Sequence, residues 1–195
     1  MAPAAALVLG YLLGSIPFGV ILTRAGGAGD LRAIGSGSIG ATNVLRTGRK
    51  GLAIATALLD GAKGGVAVLL CEWLWPGTGI LAAATSFLGH LYPVWLRFRG
   101  GKGVATLMGI VLALYWPSAL VFAVVWLGLL AALRISSVAG MTAAVSAPVS
   151  AAFFSQFDIV LPLIALALLV LWRHRSNIDR LLSGTEPRIG ATKHV

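Results

Sequence analysis

Polar positions in this chain gather in short clusters, and long apolar runs separate them. Seven runs can be marked, at about residues 3–22, 52–73, 79–96, 104–116, 118–133, 138–155 and 159–172. A helix needs roughly 20 apolar residues to cross a hydrocarbon core of about 30 Å, and most of the runs approach that length. The fourth and fifth are short, and the alternative is one helix from Val104 to Leu133, broken at Trp116–Pro117. Proline is favoured in the first turn of a helix and disfavoured in its interior, so the pattern predicts a hairpin there.

Charge position chooses between the two readings. With seven spans, Arg24 to Lys50, Arg97 to Lys102, Arg134 and Arg173 to Lys193 all fall on one side. The opposite connections hold Glu72 and Asp158, with neither Lys nor Arg. Merging the fourth and fifth runs would carry Arg134 and the basic C-terminus across the membrane, against the preference of Lys and Arg for cytoplasmic loops. The expectation is an all-α, polytopic integral membrane protein of seven transmembrane helices, N-terminus outside and C-terminus cytoplasmic. Trp73, Trp75, Tyr115 and Trp116 then fall at the outer edge, and Tyr92, Trp95 and Trp172 at the inner edge, as amphipathic rings prefer. The first run has no basic segment before it and Arg24 after it, which reads as a retained span, not a cleaved signal. The long polar stretches are confined to residues 24–50 and the C-terminal tail, so one membrane-embedded domain is expected over 1–195.

Composition agrees. Of 195 residues 58% are hydrophobic and only 11% charged, against about 25% charged in soluble proteins. Neither a soluble enzyme nor a disordered chain fits those proportions. The formal charge of +9, from 15 Lys and Arg against 6 Asp and Glu, would by itself suggest nucleic acid or anionic lipid. Its placement makes it a matter of topology and of one face, and nucleic acid is not an expected partner. Cys71 is the single cysteine, so an internal disulfide, a thiolate cluster and a C-x-x-C pair are all excluded.

Candidate chemistry clusters on the cytoplasmic side. The first loop, 24–50, holds Gly35-Ser36-Gly37-Ser38-Ile39-Gly40-Ala41-Thr42-Asn43 and then Arg46. Successive small residues let backbone N–H groups converge on an anion, and the hydroxyls add donors. Positions 35–40 match G-x-G-x-x-G, with Asp60 twenty residues after Gly40. A dinucleotide fold needs a strand before the glycines, whereas a membrane span precedes these and Asp60 lies in the next span, so that reading fails. The second loop, 97–103, places Gly100-Gly101-Lys102-Gly103 at the start of the fourth helix, where free N–H groups and a lysine favour phosphate. In the third loop, 134–137, either Ser136 or Ser137 can cap the next helix. The last polar segment, 173–182, puts His174 and Asn177 on one face of a continued helix and offers a group that titrates near neutral pH. Arg173, Arg175 and Arg180 there read as anchors to anionic lipid. His174 and Asp179 also fit H-x-x-x-x-D, but five residues turn a helix by about 500°, which separates the two side chains.

Asp60 and Lys63 lie within the second run, where an unpaired charge costs about 2.5–3.5 kcal/mol or more. Spaced i, i+3, they read as a mutually paired structural couple. His90, before Tyr92-Pro93, reads as a hydrogen-bonded structural histidine.

These blocks closely resemble the bacterial membrane acyl-phosphate:glycerol-3-phosphate 1-acyltransferase family. The matching stretches are Gly14-Ser15-Ile16-Pro17-Phe18-Gly19, Gly35–Asn43, Asp60-Gly61-Ala62-Lys63-Gly64, Gly89-His90-Leu91-Tyr92-Pro93, Gly100–Thr106 and Arg173–Leu182. They run in order from residue 10 to about 186. The resemblance implies seven spans, no metal or other cofactor, and the first acylation of phospholipid synthesis at the inner membrane. Fatty acyl phosphate would be the donor, glycerol-3-phosphate the acceptor, and lysophosphatidic acid and phosphate the products. It implies a donor pocket from Ser36, Gly37, Ser38, Gly40, Thr42 and Asn43, and an acceptor site from Arg46, Lys102, Ser137, His174 and Asn177. Ser36, Lys102, His174 and Asn177 are the implied catalytic group. The chain departs from the family at Ser38, where many members carry Asn, and at Asp179. Direct attack without an acyl-enzyme is expected, with His174 or the donor's own phosphate as base. The partners expected are the two substrates and membrane lipid, with the chain acting as a monomer near a soluble enzyme that makes acyl phosphate. The competing reading is a small-molecule transporter built around the Asp60–Lys63 pair.

Overall fold

In a computed structural model of the chain, residues 1–35 and 37–190 are described, and among them there are helices and loops but no β-strand. They fall into two compact units, Met1–Trp116 and Pro117–Val195.

The first unit contains α1 (Ala2–Gly14), α2 (Phe18–Ala25), α3 (Ala41–Leu45), α4 (Lys50–Leu74), α5 (Gly79–Leu91) and α6 (Val104–Leu114), with 3₁₀ turns at Leu31–Ala33 and Val94–Leu96. The run expected as one helix over 3–22 is therefore broken. Pro17, which has no N–H to donate, stands at the interruption, and α2 continues to Ala25. A break inside lipid is tolerated only when its polar groups find partners. Here they do. Ser15 Oγ donates to the Leu12 carbonyl at 2.8 Å and accepts from Trp95 Nε1 at 2.9 Å, and Lys63 Nζ donates to the Ile16 carbonyl at 2.7 Å.

Glycines set the helix crossings of this unit. A Cβ at Gly109 of α6 would strike the Gly61 carbonyl of α4, and one at Gly64 would come within 2.6 Å of the Thr106 carbonyl. The α1–α5 pair is equally close, since a Cβ at Gly14 would strike the Ser86 backbone. Small residues let helix backbones approach in lipid, where dispersion and not water expulsion drives association. Below these crossings Val20, Leu31, Ile39, Val44, Ala53 and Leu96 form one buried cluster that seats the first loop.

The second unit contains α7 (Trp116–Leu133), α8 (Ser136–Phe153), α9 (Phe157–Arg173) and α10 (Arg175–Leu182). Pro117 lies in the first turn of α7, so Val104–Leu133 is two helices, as the proline suggested. Ala139, Ala143, Ala147 and Ala151 recur every fourth residue on α8 and are fully buried, with Leu163, Ala167 and Val170 of α9 buried in the same pair. Leu120, Val124 and Leu127 of α7 and Leu161 and Leu168 of α9 are exposed, as suits side chains facing lipid.

Among the described residues, five helical stretches are long and apolar enough to cross a membrane: Ala2–Ala25, Lys50–Leu74, Gly79–Leu96, Trp116–Leu133 and Ser136–Phe153. A sixth is reached if Phe157–Arg173 and Arg175–Leu182, bent by 57°, count as one. Val104–Leu114 is apolar but shorter, with 11 residues, or about 17 Å at 1.5 Å per residue.

Candidate functional site

The first loop is folded around Asn43. Its side chain is buried, and Nδ2 donates to the carbonyls of Leu31 at 3.0 Å, Ile34 at 2.9 Å and Ser38 at 2.8 Å. Asn43 Nδ2 thereby braces the loop from within. Ile39 and Val44 are buried beside it, and a Cβ on Gly19 of α2 would strike the Ile39 carbonyl. Gly35 and Gly37 adopt φ of +54° and +68°, values that a side chain makes costly. Gly37 and Thr42 are exposed, while Ser38 and Gly40 are half-buried, with the Gly40 N–H on Ser38 Oγ at 3.5 Å. Arg46 is exposed and folds its side chain over Gly35, where a Cβ would lie 2.7 Å from its Cδ. Ser36, the expected catalytic hydroxyl, lies outside the described residues. At the rim Asp30 pairs with Arg32 at 2.9 Å, and the Arg32 guanidinium and N–H hold its carboxyl down to about 2.

The second loop packs on α5. The Gly100 N–H donates to the Leu91 carbonyl and the Gly101 N–H to the His90 carbonyl, each at 3.1 Å. A Cβ on Gly101 would strike the His90 ring, and one on Gly103, at φ +86°, the Phe87 ring. The glycines that suggested close approach to phosphate are thus already required by close approach to α5. Lys102, half-buried between them, stands at the entry to α6.

Asp60, Lys63 and His90 are buried together. Lys63 Nζ lies 2.7 Å from Asp60 Oδ1, and His90 Nδ1 lies 3.7 Å from the same oxygen. The i, i+3 spacing suggested the pair, whereas the approach of His90 had no local signal.

In the second unit Glu186 organises the polar groups. Ser137 Oγ donates to Glu186 Oε1 at 2.7 Å, Asn177 Nδ2 to the same oxygen at 2.6 Å, and Arg180 Nε to Oε2 at 2.7 Å. Burial raises the Glu186 carboxyl, but the hydrogen bonds from Ser137, Asn177 and Arg180 outweigh it and hold the group below its ordinary range. The segment beyond α10 folds back, with the Ile189 N–H on the Arg134 carbonyl at 2.7 Å and Arg134 Nε on the Ile189 carbonyl at 3.1 Å.

Three expectations change here. No side-chain cap forms at the start of α8, and Ser137 turns its hydroxyl to Glu186. Arg180 holds Glu186 and is not simply a lipid anchor. The helix does not continue through His174 either. It bends by 57°, His174 becomes the residue that opens α10, and Asn177 lies three residues inside it. Glu186 was missed because its partner Ser137 is 49 residues away; its only signal was an acid in a basic tail. His174 is buried, with Nδ1 2.8 Å from the Val170 carbonyl. A carbonyl only accepts, so Nδ1 carries the proton and the lone pair of the neutral ring sits on Nε2.

Fold and site together define a polytopic helical membrane protein with glycine-rich basic loops and, in each unit, a set of buried polar side chains. Comparison with known proteins makes this specific. The glycerol-3-phosphate acyltransferase family profile matches residues 4–184. The chain is 65% identical over 187 residues to the glycerol-3-phosphate acyltransferase of Novosphingobium aromaticivorans, covering 96% of this chain and 95% of that one. It is 56% identical over 186 residues to that of Mesorhizobium japonicum, with 95% of each chain covered. Among solved structures it resembles PlsY (YgiH), an integral membrane glycerol 3-phosphate acyltransferase. The TM-score is 0.91 at 37% identity for the glycerol 3-phosphate form and 0.89 at 36% for the lysophosphatidic acid form, each over 97% of this chain and 96% of that one. The chain belongs to the glycerol-3-phosphate acyltransferase family, and it is a multi-pass membrane acyltransferase.

Proposed function

We propose that this protein transfers a fatty acyl group from acyl phosphate to the 1-hydroxyl of glycerol-3-phosphate, giving lysophosphatidic acid and inorganic phosphate. The observation that carries this is the likeness to PlsY over nearly the whole chain, since PlsY was solved in a glycerol 3-phosphate form and in a lysophosphatidic acid form. The reaction belongs at the cytoplasmic face of a bacterial inner membrane, in one domain of seven spans with its N-terminus outside. The absence of Lys and Arg from the opposite connections supports that orientation.

In this reading the donor phosphate meets the first loop at Ser36, Gly37, Ser38, Gly40, Thr42 and Asn43, of which Gly37 and Thr42 are exposed. Arg46 and Lys102 take the acceptor phosphate. Ser137, His174 and Asn177 serve the acceptor hydroxyls. The acceptor oxygen attacks the acyl carbon directly, the bond from that carbon to the phosphate oxygen breaks, and phosphate leaves with the electron pair. The Nδ1–H tautomer of His174 supports Nε2 as the group that takes the hydroxyl proton. The donor's own phosphate is the other candidate base. Holding both substrates in register contributes several kcal/mol to the rate.

The test is purified protein with labelled glycerol-3-phosphate and acyl phosphate, acyl-CoA or acyl carrier protein supplied separately. Labelled lysophosphatidic acid is expected with acyl phosphate alone. Product only with acyl-CoA overturns the donor assignment, and a trapped acyl-enzyme overturns direct attack.

A further inference from the structure

The proposed reaction makes no use of Asp60, Lys63 or His90, yet each touches an element that carries one of the two glycine-rich loops. Lys63 Nζ pairs with Asp60, donates to the Ile16 carbonyl at 2.7 Å, and lies 5.8 Å above the Phe18 ring. Ile16 and Phe18 flank the start of α2, and α2 packs Gly19 against the Ile39 carbonyl inside the first loop. On the other side Asp60 Oδ1 faces His90 Nδ1 at 3.7 Å. His90 in turn carries the second loop, through the Gly101 N–H on its carbonyl and its ring against Gly101. Lys102 is the next residue.

A buried ion pair is poor glue, because the cost of removing two charges from water roughly cancels their attraction. What such a pair supplies is directional contact. Lys63 reaches a carbonyl 47 residues away, and that contact has one register. We infer that Asp60, Lys63 and His90 form a positioning node that sets the spacing of the loop Gly35–Asn43 against the loop Gly100–Gly103, so that both present their donors to phosphorylated substrates. This rests on the reading above, in which Lys102 binds the acceptor phosphate.

The experiment uses the full chain in lipid nanodiscs, with KM and kcat measured for each substrate and backbone hydrogen exchange followed in residues 37–43 and 100–103. Lys63→Met is expected to raise both KM values about tenfold with kcat within about threefold, and to speed exchange in both loops. Lys63→Arg, which can still reach Asp60 and Ile16, restores most of the loss. Asp60→Asn raises the KM for glycerol-3-phosphate, and combined with Lys102→Met it does no more than Lys102→Met alone, because it acts through that lysine. Fully multiplicative effects overturn the inference while leaving the reading of Lys102 intact. A lower melting temperature with unchanged KM and unchanged loop exchange also overturns it, since that is stability only. If Lys102→Met by itself leaves the acceptor KM unchanged, the reading of Lys102 fails, and loop exchange in Lys63→Met then decides the node. Should Asp60→Asn not fold, His90→Phe keeps bulk against Gly101, removes Nδ1 and gives the same readouts.

Discussion

Replacing Glu186 with Gln tests the organisation of the second unit. The carboxylate accepts from Ser137 and Asn177 on one oxygen and from Arg180 on the other, and its side chain is 6% exposed. Glutamine keeps the volume and one oxygen. That oxygen can still serve Ser137 and Asn177, but the amide nitrogen then faces Arg180 Nε, donor against donor. Loss of a hydrogen bond to a charged group costs about 1.5–3 kcal/mol. The low end applies, because the Arg180 side chain is 36% exposed and partly solvated. The cost falls on residues 183–190, which are also held by the Thr185 and Glu186 N–H groups on the Arg180 carbonyl and by the pair of hydrogen bonds between Ile189 and Arg134. A loss of about 1.5 kcal/mol makes opening of the segment about tenfold more frequent. Trypsin cleavage at the exposed Arg188 and exchange of the Ile189 amide should both accelerate to that degree. The sign of the pH effect follows from the direction of the shift. The folded Glu186 carboxyl titrates below its ordinary 4.5, so its stabilisation is complete above that value and is lost as pH falls through the lower folded one. Wild-type protein should lose protection of this segment on acidification, and Glu186→Gln should show no such carboxylate-linked loss. Equal cleavage and exchange in the two proteins at neutral pH would refute the assignment.

Other predictions follow from the same reasoning. Asn43→Asp turns a carboxylate toward three carbonyls, so exchange across residues 31–43 should rise and transfer from acyl phosphate should fall, whereas Thr42→Ala, at an exposed position, should leave exchange unchanged. Gly103→Ala is strained at φ +86° and meets the Phe87 ring, so a lower melting temperature is expected. Gly51→Ala meets nothing and lies in a helix, so it should be neutral or stabilising by about 0.5–1 kcal/mol. His174→Ala should lower kcat by about 10²–10⁴ if Nε2 is the base. Near-normal kcat with a raised acceptor KM would instead assign the proton to the donor's phosphate.

Helix positions were legible because lipid imposes a local rule of length and apolarity. The runs at 52–73, 118–133, 138–155 and 159–172 became Lys50–Leu74, Trp116–Leu133, Ser136–Phe153 and Phe157–Arg173, each within about two residues at either end. The Asp60–Lys63 contact was legible too, since i, i+3 spacing on one helix is enough to predict it. The division of α6 from α7 could be read from Pro117 for the same local reason.

Side-chain tasks were harder to read because they depend on partners far along the chain. Pro17 was visible, but whether it breaks a span depends on groups that take up the freed backbone, and these came from Lys63 on the Ile16 carbonyl and Ser15 on the Leu12 carbonyl. The glycines of the second loop had a plausible local meaning, and only packing showed that His90 and Phe87 claim the space. Asn43 has the same composition whether its amide faces a ligand or three carbonyls of its own loop; closure of that loop turned it inward. Local patterns decide which backbone forms because helix hydrogen bonds and lipid burial act within a few residues. Tertiary packing decides which polar atom meets which, because a buried donor must find an acceptor wherever the fold brings one.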